Sequence, residues 1–77
     1  MDDFEKVLGR VIADARRSAE LSQEALAFRC KLHPTYISQL ERGLKSPTVR
    51  ALRAIADALD KRTSALLAEV EAKQLLS

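Results

Sequence analysis

Thr35, Ser38, Gln39 and Arg42 stand close together in the stretch PTYISQLER. Wound as a helix at about 100° per residue, they fall roughly 100° to 200° away from Ile37. Leu40 falls within about 60° of Ile37, so those two define a buried side and the other four point outward together. An ordinary solvated face more often carries Glu and Lys pairs, whereas this one mixes short and long donors and acceptors. Such a set suits noncovalent recognition of a surface with its own hydrogen-bonding pattern. The base edges of a DNA major groove, flanked by phosphates, are such a surface. Tyr36 lies on the flank of this face, placed to pack its ring at the domain edge and offer its hydroxyl to a phosphate oxygen. Glu41 falls on the core side, where a carboxylate needs a cationic partner. Arg16 is the candidate, with Arg17 as the exposed alternative.

The rest of the composition narrows the function. The chain has 77 residues, 47% hydrophobic and 31% charged, so the expectation is one globular domain spanning 1–77 without a separate ligand-binding domain. No apolar run approaches the roughly 20 residues of a membrane span, and no secretory signal stands at the N-terminus, so the expectation is a cytoplasmic protein without a membrane partner. The single Cys30 cannot close an internal disulfide, which agrees with a reducing compartment. Cys30 and the only histidine, His33, cannot complete a zinc site within one chain, and Cys30 reads as a small buried hydrophobe. No nucleophile–base pair and no glycine-rich phosphate loop is present, so no catalytic residue, metal or cofactor is expected. Net charge is only +2, but residues 29–53 hold six basic residues (Arg29, Lys31, Arg42, Lys45, Arg50, Arg53) against one acid, Glu41. The flanks are correspondingly acidic. A basic middle favours a polyanion partner.

The outward face must be positioned by helices, since nothing reads as a strand, repeat or linker. Phe4, Val7, Leu8, Val11, Ile12 and Ala15 form the apolar stripe of a first helix, with Asp2 and Asp3 as acceptors at its start. Gly9 inside it implies a close packing contact. Ser22 reads as the N-cap of a second short helix, and His33-Pro34 as the start of a third that Gly43 ends. Ser46-Pro47-Thr48 repeats the cap-then-proline signal before a stripe of Val49, Leu52, Ile55, Ala56 and Leu59. Thr63 can cap a fifth segment carrying Leu66, Leu67, Val70 and Leu75. The expectation is an all-α five-helix bundle.

The stretch LSQEALAFRCKLHPTYISQLERG, followed by SPTVRALRAIADALD, resembles the helix-turn-helix of the phage repressor and Cro-like regulators over nearly the whole chain. HPTYIS and the short length also resemble the controller proteins of restriction–modification systems, which are dimeric autoregulators. The resemblance implies a lambda-repressor-like fold and a transcriptional regulator that binds double-stranded DNA as a homodimer on a roughly palindromic operator. It further implies that Pro34, Thr35, Ser38 and Gln39 face base pairs, and that Tyr36 and Arg42 lie near the backbone. Gln23 would touch a phosphate and brace the recognition helix; Lys45, Ser46 and Thr48 would grip phosphates on the other side of the groove. Arg16 and Glu41 match a buried ion pair, and the fifth helix, 63–77, would supply the dimer contact through Leu66, Leu67, Val70 and Leu75. Bound near a promoter, such a protein blocks or recruits RNA polymerase. The rival expectation is an antitoxin or protein-interaction adaptor on the same fold. Two residues depart from the family pattern. Lys31 stands where glycine is common, and Pro34 stands where a long polar side chain is common.

Overall fold

The computed structural model describes residues 3–76. Five helices follow one another: α1 (Phe4–Ser18), α2 (Gln23–Cys30), α3 (Pro34–Glu41), α4 (Val49–Ala58) and α5 (Thr63–Leu76). No strand occurs among the described residues. The expected all-α architecture is therefore the observed one. α1 packs on α3 and α5, α2 packs on α3 and α4, and α4 packs on α5.

The helix starts follow from local side-chain chemistry. Ser22 accepts the Ala25 N–H at 3.0 Å, and His33 Nδ1 accepts the Thr35 N–H at 3.1 Å. Each satisfies one of the donors that a helix N-terminus leaves unpaired. Pro34 then occupies the first helical position, where it has no N–H to waste and its fixed φ suits the turn. Three expected caps need correcting. Thr63 is the first residue of α5 itself and not the residue that precedes it. Asp3 is the N-cap residue of α1 but its side chain makes no cap bond, and Asp2 lies outside the described residues. At α4 the cap is Thr48, which accepts the Ala51 N–H at 3.0 Å, so Pro47 precedes the cap instead of following it.

Four helices end alike. After α1, α2, α3 and α4 the chain turns left-handed at Glu20 (φ 58°), Lys31 (φ 59°), Gly43 (φ 75°) and Asp60 (φ 58°). In each the next N–H reaches back five residues, as in Leu21 to Arg16 O, Leu32 to Ala27 O, Leu44 to Gln39 O and Lys61 to Ala56 O. This is the Schellman closure, which satisfies the orphaned carbonyls of the last turn. Lysine at position 31 therefore adopts the conformation glycine would have taken, at a cost of about 1–2 kcal/mol.

The core gathers Leu8, Val11, Ile12, Leu26, Ile37, Leu40, Leu52, Ile55, Leu66 and Val70. Val49, expected in the α4 stripe, is instead 81% exposed. It shares the side of Leu52 and Ala56 on the helical wheel but sits at the first position of the helix, ahead of Ala51 and Leu52, where the buried face begins. Gly9 fits its expectation: a Cβ there would lie 2.5 Å from the carbonyl oxygens of both Leu40 and Glu41. The bare backbone of α1 thus rests on the last turn of α3 and sets how far that helix projects.

Candidate nucleic-acid interface

α3 is held by one buried polar knot. Arg16 donates from Nε to Glu41 Oε2 at 2.7 Å and from Nη2 to Oε1 at 3.0 Å, a two-point ion pair. Its remaining arm, Nη1, donates to the Leu21 carbonyl at 2.8 Å. Gln23, the first residue of α2, donates its side-chain amide to Glu41 Oε1 at 2.9 Å. The Arg16 and Glu41 side chains retain only 10% and 5% of their exposure. The bonds with the Glu41 carboxylate, then Coulomb attraction to it, outweigh desolvation and hold the Arg16 guanidinium above its usual pKa. No buried side-chain nitrogen or oxygen among the described residues lacks a partner. A buried ion pair adds little net stability when complete, but it fixes geometry and is costly to break. Here it ties α1, the head of α2 and the foot of α3 into one unit. Arg17, the alternative partner, is exposed and sits 3.7 Å from Asp14.

The side of α3 opposite Ile37 and Leu40 carries the residues singled out by their spacing. Thr35 is exposed, while Pro34, Ser38 and Gln39 are half-buried yet accessible. Arg42, the C-cap residue, is exposed and its Nε donates to the Ser38 carbonyl at 3.4 Å. Tyr36 packs against the core edge, as expected of its flanking position. In the loop before α4, Lys45 and Ser46 are exposed, and Thr48 is occupied in capping. Gln23 presents a sharper picture than its sequence position allowed. Its amide braces α3 through Glu41.

The α5 residues divide differently from the expectation. Leu66 and Val70 are fully buried inside this chain, and Leu67 packs at the core edge. The methyl groups of Leu66 and Val70 fill the bundle, where α5 packs on α1 and α4. Of the expected dimer set only Leu75 is exposed, at 85%. A second apolar strip, missed in the sequence, runs up the other side: Ala65, Ala68, Ala72, Leu75 and Leu76 are all exposed. The signal was the three- and four-residue spacing of the alanines, which a search for large apolar residues passes over.

Cys30 is buried, as expected, and burial pushes its thiol pKa up. His33 is the cap described above. No cluster of three or more metal-binding side chains exists among the described residues, and no described helix is long and apolar enough to cross a membrane.

Residues 12–66 match the helix-turn-helix family. The control protein C.BamHI of Bacillus amyloliquefaciens is 39% identical over 62 residues, covering 79% of this chain and 76% of that one. Among solved structures, the clp gene regulator ClgR from Corynebacterium glutamicum superposes with a TM-score of 0.89 at 26% identity, over 95% of this chain and 78% of that chain. The restriction–modification controller C.AhdI from Aeromonas hydrophila superposes with a TM-score of 0.78 at 31% identity, over 79% of this chain and 92% of that chain. With α2 and α3 joined by the turn at Lys31 and locked through Glu41, and with this likeness in sequence and fold, the chain belongs to the helix-turn-helix family of DNA-binding transcriptional regulators.

Proposed function

We propose that this regulator acts as a homodimer whose α3 helices enter successive major grooves of a roughly palindromic operator. Thr35, Ser38 and Gln39 read base edges there, and Pro34 makes only van der Waals contact. Arg42, Tyr36, Lys45, Ser46, Thr48 and the head of α2 at Gln23 fix the register on phosphates. The observation that carries the reading is the Gln23–Glu41 bond beside the Arg16–Glu41 pair. It links the anion-seeking end of α2 rigidly to the helix that bears the outward face, as a positioned recognition surface requires. Likeness to restriction–modification controllers supports the narrower reading, autoregulation of such an operon by blocking or recruiting RNA polymerase.

The dimer reading draws on α5. Its strip of Ala65, Ala68, Ala72, Leu75 and Leu76 spans about 100° of the helix opposite Leu66 and Val70. Alanines let two helices approach closely, and the leucines add apolar area at one end. A two-fold pairing there would set two α3 helices for half-sites about 34 Å apart.

Selection from random duplex DNA with the purified protein tests this. The expected result is an enriched inverted repeat whose half-sites lie about 10–10.5 base pairs apart, centre to centre. Retention on duplex DNA that is absent or indifferent to salt would instead fit an adaptor that has kept only the fold.

A further inference from the structure

Two arginines of the basic middle have no part in the interface described so far. Arg50 and Arg53 are exposed on the outer face of α4, and with Val49, Ala54 and Asp57 they line one open groove. They stand one turn apart on the same side of the helix, within about 60° of each other. We infer that Arg50 and Arg53 carry the DNA contact beyond the α3–α4 loop and up α4, where they hold further backbone phosphates outside the bases read by α3. The inference rests on the DNA-binding reading above.

Continuity comes first. Thr48 closes the loop proposed to grip the backbone, and Arg50 and Arg53 lie about 3 Å and 7.5 Å along the helix axis from it, at 1.5 Å per residue. One strand of duplex DNA offers a phosphate about every 3.4 Å of its axis, so a helix leaving the loop passes further anions as it climbs. The charge is also available. Among the described residues Arg50 has no acidic partner. Arg53 meets Asp57 through Nε at 3.8 Å, with both side chains more than two-thirds exposed. An exposed pair of that kind is weak enough for a phosphate to displace. The groove suits a polyanion better than a protein: it has two guanidinium groups against one carboxylate, and Val49 is its only large apolar side chain. Guanidinium also matches phosphate geometry at two points, so recognition there is electrostatic and indifferent to base sequence.

The experiment is a salt titration of operator binding, with the selected operator as the probe and wild type, R50A, R53A, R50A/R53A and R50K/R53K compared. The double alanine variant is expected to lower the slope of log K against log salt by about 2, each single variant by about 1, while base preference is unchanged. The double lysine variant keeps the charge and is expected to restore most of the slope. An unchanged slope in R50A/R53A, with wild type binding the operator, overturns the inference alone. Loss of dimer mass at unchanged slope also overturns it, making this face a protein contact. Failure of the wild type to bind any duplex overturns the DNA-binding reading and the inference with it.

Discussion

Gln23, at the head of α2, and Glu41, at the foot of α3, are joined by a 2.9 Å hydrogen bond. The same carboxylate receives Arg16 at two points, so one acid holds three helices in register. Glu41→Ala should destabilise the fold by about 3–5 kcal/mol, because it leaves the Arg16 guanidinium buried with only the Leu21 carbonyl as partner. Gln23→Ala removes a single bond to a charged acceptor and should cost about 1.5 kcal/mol. Urea unfolding followed by circular dichroism separates the two. Equal midpoints for Glu41→Ala and Gln23→Ala would refute this ranking.

Gly9 and the end of α3 show how two opposing effects are decided by distance. Alanine is preferred over glycine within a helix by about 1 kcal/mol. At Gly9, however, the added Cβ would meet two backbone carbonyl oxygens at 2.5 Å, and backbone cannot step aside as a flexible side chain can. Overpacking should win, and Gly9→Ala should lose about 1–3 kcal/mol net. It should also weaken DNA binding, since α1 must lift α3 to relieve the clash. A stability gain in thermal unfolding would show that the contact relaxes freely.

Lys31 offers the opposite outcome. It is exposed and holds φ 59° in the turn between α2 and α3. Lys31→Gly should stabilise the domain by about 1 kcal/mol by removing the left-handed penalty on a side chain. The Schellman bond from Leu32 to Ala27 O at 3.0 Å is a backbone bond and survives the change. Lys31→Asn should give a smaller gain. Loss of stability in Lys31→Gly would mean that the lysine side chain itself contributes to the turn.

What could be read from the sequence follows physical range. Ser22 and His33-Pro34 announced their helix starts because a cap acts within two or three residues. The Arg16–Glu41 pair was legible as well, because a carboxylate turned toward Ile37 demands a cation. The Gln23–Glu41 bond was not, since it depends on the angle between α2 and α3, which no local spacing encodes. Val49 lies on the right side of its helix and is still exposed, because periodicity gives the direction of a side chain but not how far along the helix its neighbours reach. α5 misled for a related reason: it is apolar on two sides, so periodicity alone could not say which side the bundle buries. Leu66 and Val70 went inward, and the alanine strip stayed out.

That strip gives a prediction about assembly. Ala68→Glu should place a charge in the middle of the proposed α5–α5 contact without touching the core, because Ala68 is exposed. Sedimentation should show a monomer, circular dichroism unchanged helicity, and operator binding a steep dependence on protein concentration. Leu66→Ala, by contrast, should act within the monomer and cost about 2–5 kcal/mol of stability. A dimer that persists in Ala68→Glu would locate the pairing surface elsewhere.

The central claim is that the outward face of α3 reads base sequence, and Gln39 tests it most directly. The measurement is operator affinity for wild type and Gln39→Ala across a panel of single-base substitutions in each half-site. Discrimination should fall by about 1–3 kcal/mol at one or two positions per half-site, with the other positions and the salt slope unchanged. A Gln39→Ala protein that folds, binds and discriminates at every position as the wild type does would contradict the claim.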